Sequence, residues 1–158
     1  KVVLDTSNNA LRNGLLAAPT IIKPNIDELQ QLVGRTLTEE AEIEKAAHSL
    51  LVGGLEMVVV SMGEQGAMFV QQATALTALP PTVKVKSTVG AGDAMVSGLI
   101  AGQIQGLNLS DCARLATAYS LTAITREGST SLEPRTLETF VQQVAIQERS
   151  TTPRSVSS

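Results

Sequence analysis

Apolar and polar positions fall in alternating blocks: short apolar runs of strand length separate longer stretches in which apolar residues recur at helical spacing. Lys1-Val-Val-Leu-Asp5 predicts a strand, residues 9–16 a short helix with Leu11, Leu15 and Leu16 on one side, and Thr20-Ile-Ile-Lys23 a second strand after Pro19. Thr38 predicts the cap of a longer helix, with Ile43, Ala46, Ala47, Leu50 and Leu51 on one face and Gly53-Gly54 as its stop. Glu56-Met-Val-Val-Val-Ser61 is continuously apolar, as in a strand covered by helices on both faces, and Ala67-Met-Phe-Val70 follows it. Residues 76–79 and 83–86 predict two short strands on either side of Pro80-Pro81, which cannot donate to a ladder. The stretch from Ala94 to Ala101 is apolar nearly all round and predicts a buried helix. A second helix is expected from Asp111 to about Ile124, capped by Ser110 with Leu115, Tyr119 and Thr122 along one side. A last one starts at Pro134 and presents Leu137, Phe140, Val141 and Val144. This alternation specifies an α/β layered domain with a mainly parallel sheet flanked by helices, and a site at the strand ends.

Composition narrows the function classes. The 158 residues suffice for one domain with a real core, and 43% of them are hydrophobic. A net charge of −3 argues against a nucleic-acid footprint, and 2% aromatics with no Trp argue against a base-stacking surface. The single cysteine, Cys112, cannot form an internal disulfide or a cysteine-rich metal site. The single histidine, His48, neighbours the apolar helix face, which suits packing or surface better than catalysis. No apolar run reaches the roughly 18 residues of a membrane span, and no signal segment opens the chain, so a cytoplasmic protein without membrane partners is expected. The chain opens without Met directly into a strand, and it is expected to be part of a longer protein. Residues 1–149 are expected to form the folded part, with a Ser/Thr-rich tail, residues 150–158, outside it.

Chemistry concentrates in Ser87-Thr-Val-Gly-Ala-Gly-Asp-Ala-Met-Val-Ser-Gly98. A glycine turn feeding a helix start aims unpaired amides and the positive helix end at one spot, which attracts an anion. Asp93 in that first turn is either a helix-stabilising acid or a base for a substrate hydroxyl, with Gly90, Ala91 and Gly92 holding the charge of a transferring phosphoryl group. Asn25 and Glu28 have capping-box spacing, which is a good helix start and equally a place for phosphate or its metal. Ser61, Gly63 and Gly66 form a turn between strands. No G-x-x-x-x-G-K-[ST] occurs, which excludes a P-loop. G-A-G-D also lacks the third glycine and the distant acid of a dinucleotide-binding fingerprint.

The twelve-residue run around Asp93 resembles the C-terminal signature of the ribokinase-like carbohydrate kinases, and most of all the branch that acts on sugar phosphates. K-P-N-x-x-E at 23–28 and S-x-G-x-x-G at 61–66 are similar to two further motifs of the family. The resemblance runs from Lys1 to Ile146 and covers the C-terminal half of the family pattern. It implies ATP and Mg²⁺ as cofactors, Asp93 as base, Gly90, Ala91 and Gly92 as anion hole, Asn25, Ser61, Gly63, Gly66 and Thr88 at the nucleotide, and Glu28 at the metal. It also implies a monovalent cation held by carbonyls of residues 125–131 in several members, and a homodimer for the complete enzyme. The wording of the first half is most similar to the members that phosphorylate fructose 1-phosphate, with those acting on fructose 6-phosphate and tagatose 6-phosphate close behind. A non-catalytic nucleotide-binding piece is the alternative from another class.

Overall fold

A computed structural model describes residues 1–126 and 133–149. Among these, six strands form one sheet in sequence order: β1 (Val3–Leu4), β2 (Ile21–Ile22), β3 (Met57–Ser61), β4 (Ala67–Val70), β5 (Ala75–Leu79) and β6 (Ala145–Arg149). The layered α/β class stands. The sheet, however, is mixed: β1, β2 and β3 pair in parallel, while β3 with β4, β4 with β5 and β5 with β6 are antiparallel. Connection length decides the first two of these, because residues 62–66 and 71–74 are too few for a crossover and close as hairpins, whereas β6 returns to β5 only after three helices.

The alternation of side chains explains the unbroken apolar strands. Ile21, Met57, Val59, Ala67, Phe69, Leu76 and Ala78 belong to one core, and Ile22, Val58, Val60, Met68, Val70 and Ala75 to a second on the opposite face. The second core is closed by α2 (Ile26–Val33) and α3 (Glu40–Ser49), through Leu29, Ile43, Ala46 and Ala47. The first is closed by α4 (Ala91–Ile104), α5 (Leu109–Thr125) and α6 (Pro134–Gln143), through Met95, Leu99, Cys112, Ala116, Leu121 and the partly buried Phe140. The remaining helix, α1 (Asn8–Leu15), buries Leu11.

Helices α4 and α5 touch closely because Gly98 and Gly102 carry no side chain. A Cβ on Gly98 would stand 2.6 Å from Ala116 Cα, and one on Gly102 2.7 Å from the Cys112 sulfur. Burial there pushes the Cys112 thiol above its usual proton affinity, with a hydrogen bond from Gln103 opposing it, so the cysteine packs and stays protonated. The opposite side of α4 leaves Ile100 and Ile104 exposed, so the helix is not buried all round as its composition suggested.

Several local expectations are corrected. Leu16 lies just past the end of α1 and is 86% exposed. Thr38 precedes the true N-cap of α3, Glu39. The amides of Thr38 and Glu39 and the Thr38 hydroxyl all donate to one oxygen of Glu42, and those bonds, the Thr38 amide first, hold its carboxyl below the usual range. The cap of α5 is Asn108, whose Oδ1 accepts from Asp111 N at 2.9 Å, not Ser110. Residues 83–86 are not a strand; Lys86 N donates to Ile124 O at the end of α5 instead. Strand β6 was not expected at all. Its Arg149 reaches across to Glu44 at 2.7 Å and to Glu40; burial alone would weaken its hold on the proton, but the two carboxylates outweigh it and keep the guanidinium charged. The tail at 150–158, and Gly128 with most of its loop, lie outside the described residues.

Candidate active site

The parallel strands end on the same side, and the chain leaves them in motif residues. Asn25 bridges to Ser61, and Ser61 N donates to Pro24 O at 3.0 Å, so the K-P-N and S-x-G-x-x-G segments lie together at the ends of β2 and β3. Asn25 caps α2 through Oδ1, which accepts from Glu28 N at 2.8 Å, while a Glu28 oxygen accepts from Asn25 N at 2.9 Å. The expected capping box is therefore present.

After the double proline the chain turns into α4. Gly90 is the N-cap, with φ of 82°, a left-handed backbone that side-chain-bearing residues adopt only at a cost. Ala91 N turns back to Thr88 O at 3.4 Å, and Ala94 is the first residue to reach a full turn, to Gly90 O at 2.9 Å. Between them, the amides of Gly92 and Asp93 occupy the first turn, where a helix leaves N–H groups without an intrahelical acceptor. Gly92 itself has an ordinary helical backbone. A Cβ there would meet only one atom group, the Lys23 ammonium, at 3.4 Å.

The sequence motif contains Lys23 without assigning it a role. It follows β2 directly, is 7% exposed, and pairs with Asp5 at 3.3 Å. Its signal was available: a lysine continuing an apolar strand without a break has to be buried or placed at the strand end.

These parts frame a cleft of about 640 Å³, within the range of small-molecule sites. Of the expected residues, Ser61, Gly63, Gly66, Thr88, Ala91 and Gly92 line it, joined by Lys23 and by the apolar Pro81, Val83, Met95 and Leu121. Asn25, Glu28, Gly90 and Asp93 are not in its lining. Asp93 is exposed in the first turn of α4, beside the cleft. Glu28 borders a smaller hollow of about 290 Å³ with Arg12 and Gln31. Among the described residues no three acidic, His or Cys side chains converge as a ready-made metal cage.

Residues 1–136 match the profile of the pfkB family carbohydrate kinases. The 1-phosphofructokinase of Rhodobacter capsulatus is 46% identical over 146 residues, and that of Vibrio cholerae 41%, in each case across 92% of this chain and 46% of the relative. The crystal structure of Escherichia coli phosphofructokinase-2 in complex with substrates and products superposes with a TM-score of 0.83 at 32% identity, over 89% of this chain and 46% of that one. The chain thus spans about half the length of the curated relatives it matches. A glycine turn opening onto a helix start above a buried lysine, with sequence likeness extending through every element around it, has one reading at the level of family: the chain belongs to the pfkB family of carbohydrate kinases.

Proposed function

We propose that this chain supplies the nucleotide-binding and catalytic part of an ATP-dependent sugar-phosphate kinase, with fructose 1-phosphate as acceptor and fructose 1,6-bisphosphate as product. The observation that carries the reading is the placement of the buried Lys23 beside the first turn of α4: Lys23 and Gly92 both line the cleft, and a Cβ on Gly92 would stand 3.4 Å from the ammonium. A buried ammonium and an electropositive helix start stand together there, with no side chain on Gly92 between them, which suits a phosphoryl group whose charge spreads over its oxygens.

The residues present fit a nucleoside triphosphate. The cleft wall formed by Ser61, Gly63 and Gly66, with the apolar Pro81, Val83 and Leu121, would take the nucleoside, and Thr88, Ala91, Gly92 and Lys23 the phosphates. Magnesium, when bound with the nucleotide, supplies charge neutralisation on the phosphate oxygens. Glu28 and Asn25, which stand outside the cleft lining, would hold it through water, because Mg²⁺ keeps several waters and is commonly held by one or two carboxylates plus phosphates rather than by an all-protein cage. Asp93 takes the proton of the accepting hydroxyl as that oxygen bonds to phosphorus and the bond to the ADP oxygen breaks. Its exposure beside the cleft leaves it open to a second substrate.

The acceptor is assigned from the curated relatives, which bear the name 1-phosphofructokinase at 41–46% identity. No helix among the described residues is long and apolar enough to cross a membrane; a cytoplasmic place and a small-molecule acceptor belong to the proposed reading. Assembly into a homodimer and use of a monovalent cation belong to the same reading. A coupled ADP-release assay on the protein that carries this chain tests it with fructose 1-phosphate, fructose 6-phosphate and tagatose 6-phosphate. Fructose 1-phosphate is expected to give the highest kcat/KM. A preference for fructose 6-phosphate would reassign the acceptor, and no ADP release with any of the three would sink the kinase reading.

A further inference from the structure

The ion pair that the buried Lys23 makes beneath the glycine turn has a second member, Asp5, whose role nothing above accounts for. Asp5 follows β1 as Lys23 follows β2, and the parallel register Val3 with Ile21 and Leu4 with Ile22 carries the next residues side by side. The backbone continues the pairing, Lys23 N donating to Leu4 O at 3.3 Å. Paired positions point to the same face, so the carboxylate and the ammonium meet at 3.3 Å.

The surroundings of Lys23 make that contact consequential. An ammonium only 7% exposed has lost most of its water and needs a partner of opposite charge. Close to it lies the start of α4, where a Cβ on Gly92 would stand 3.4 Å from the ammonium. A helix start is electropositive, so the cation is pressed toward a region that repels it. An arriving anion would reverse that relation, but until one arrives the ammonium has every electrostatic reason to swing away. Asp5, with its side chain 30% exposed, supplies the opposing attraction while keeping one side in water.

We propose that Asp5 is a positioning residue: its carboxylate holds the Lys23 ammonium under the Gly92 turn, so that the two act as one unit on the transferring phosphoryl group. This rests on the kinase reading above. A purely structural Asp5 would offset the burial of Lys23 and leave catalysis alone; a positioning Asp5 acts on catalysis only through Lys23.

A double-mutant cycle on kcat separates the two. Asp5→Asn is expected to lower kcat about 10²-fold, the scale of a misplaced catalytic group. Lys23→Met lowers it at least as much, and Asp5→Asn made in the Lys23→Met background costs nothing further, because coupled residues are not additive. Lysine ¹³Cε NMR gives a readout independent of turnover: the Lys23 resonance, shifted from those of exposed lysines in the wild type, moves to their position in Asp5→Asn and stays shifted in Asp5→Glu. Should Asp5→Asn fail to fold, the double variant, which removes both charges, is compared with Lys23→Met alone. Near-normal kcat in Asp5→Asn, full additivity in the cycle, or an unmoved Lys23 resonance each overturns the proposal. A wild-type protein that releases no ADP refutes the kinase reading itself, while the NMR comparison still decides whether Asp5 holds Lys23.

Discussion

Two glycine-spaced turns border the cleft, one at residues 63–66 between β3 and β4 and one at residues 90–92 at the start of α4, and their glycines exist for different reasons. Gly66 is demanded by the fold. It has φ of 90°, and a Cβ there would fall 2.0 Å from Ala78 O in the neighbouring strand, a distance no relaxation of a side chain can relieve. Gly92 is demanded by neither its backbone nor its packing: its conformation is helical, and a Cβ would sit at 3.4 Å from the end of a lysine. A glycine that the fold does not need, placed where a substituent would face a buried ammonium, points to something that has to fit between them. Gly90 is intermediate, with φ of 82° and open space where its side chain would be.

That contrast can be broken by experiment. The largest effect is expected at the residue just beyond the second turn. Asp93→Asn should lower kcat by about 10²–10⁴-fold, as for a lost general base, while thermal stability shifts by less than about 1 kcal/mol because the side chain is exposed and acts on the fold only through the helix dipole. Steady-state kinetics at saturating sugar phosphate, beside a melting curve, checks both; wild-type kcat would remove Asp93 from the mechanism. Next comes Gly66→Ala. Steric overlap and a left-handed backbone together should destabilise the fold by about 3 kcal/mol, read from urea unfolding, with activity lost in proportion to unfolded protein. Unfolding at the wild-type urea midpoint would show that the turn can move away from β5. The smallest change in stability, and the sharpest discriminator, is Gly92→Ala. Its fold should be unchanged or more stable by up to about 1 kcal/mol, since alanine is the better helix former, yet a methyl group would intrude on the anion site and reduce kcat by roughly 10²-fold. A variant both stable and fully active would show that the space above Lys23 is not where the phosphoryl group sits.

Much of the site was legible from residue order. The capping box at Asn25 and Glu28, the turn at Gly63 and Gly66, and the helix opening after Gly90 are local arrangements, set by neighbours a few positions away, and each is found where the spacing put it. What could not be read was which of them share a surface. Asn25 and Glu28 border no part of the cleft that Ser61, Gly66 and Gly92 line, and Lys23, named only as a letter in a motif, proves to lie closest to the turn. The pairing of Lys23 with Asp5 depends on β1 and β2 lying in parallel and in register, a relation between segments far apart in the chain.

The same division holds for the fold. Apolar runs and their spacing, which reflect burial on one or both faces, determined the helices, the central strands and the layered α/β class. Exposed edges escaped that logic: β6, Ala145-Ile-Gln-Glu-Arg149, has no apolar pattern because only part of it meets the core, and its strand identity comes from hydrogen bonds offered by β5. Residues 83–86 have the pattern of a strand but pair with no strand among the described residues, and Lys86 N bonds to the end of α5 instead, so they run as a loop. Local sequence determined which backbone shapes were available; tertiary contact alone decided which strands paired, where α4 stayed exposed, and that a buried lysine would stand beneath a glycine, because those outcomes depend on partners that sequence distance does not reveal.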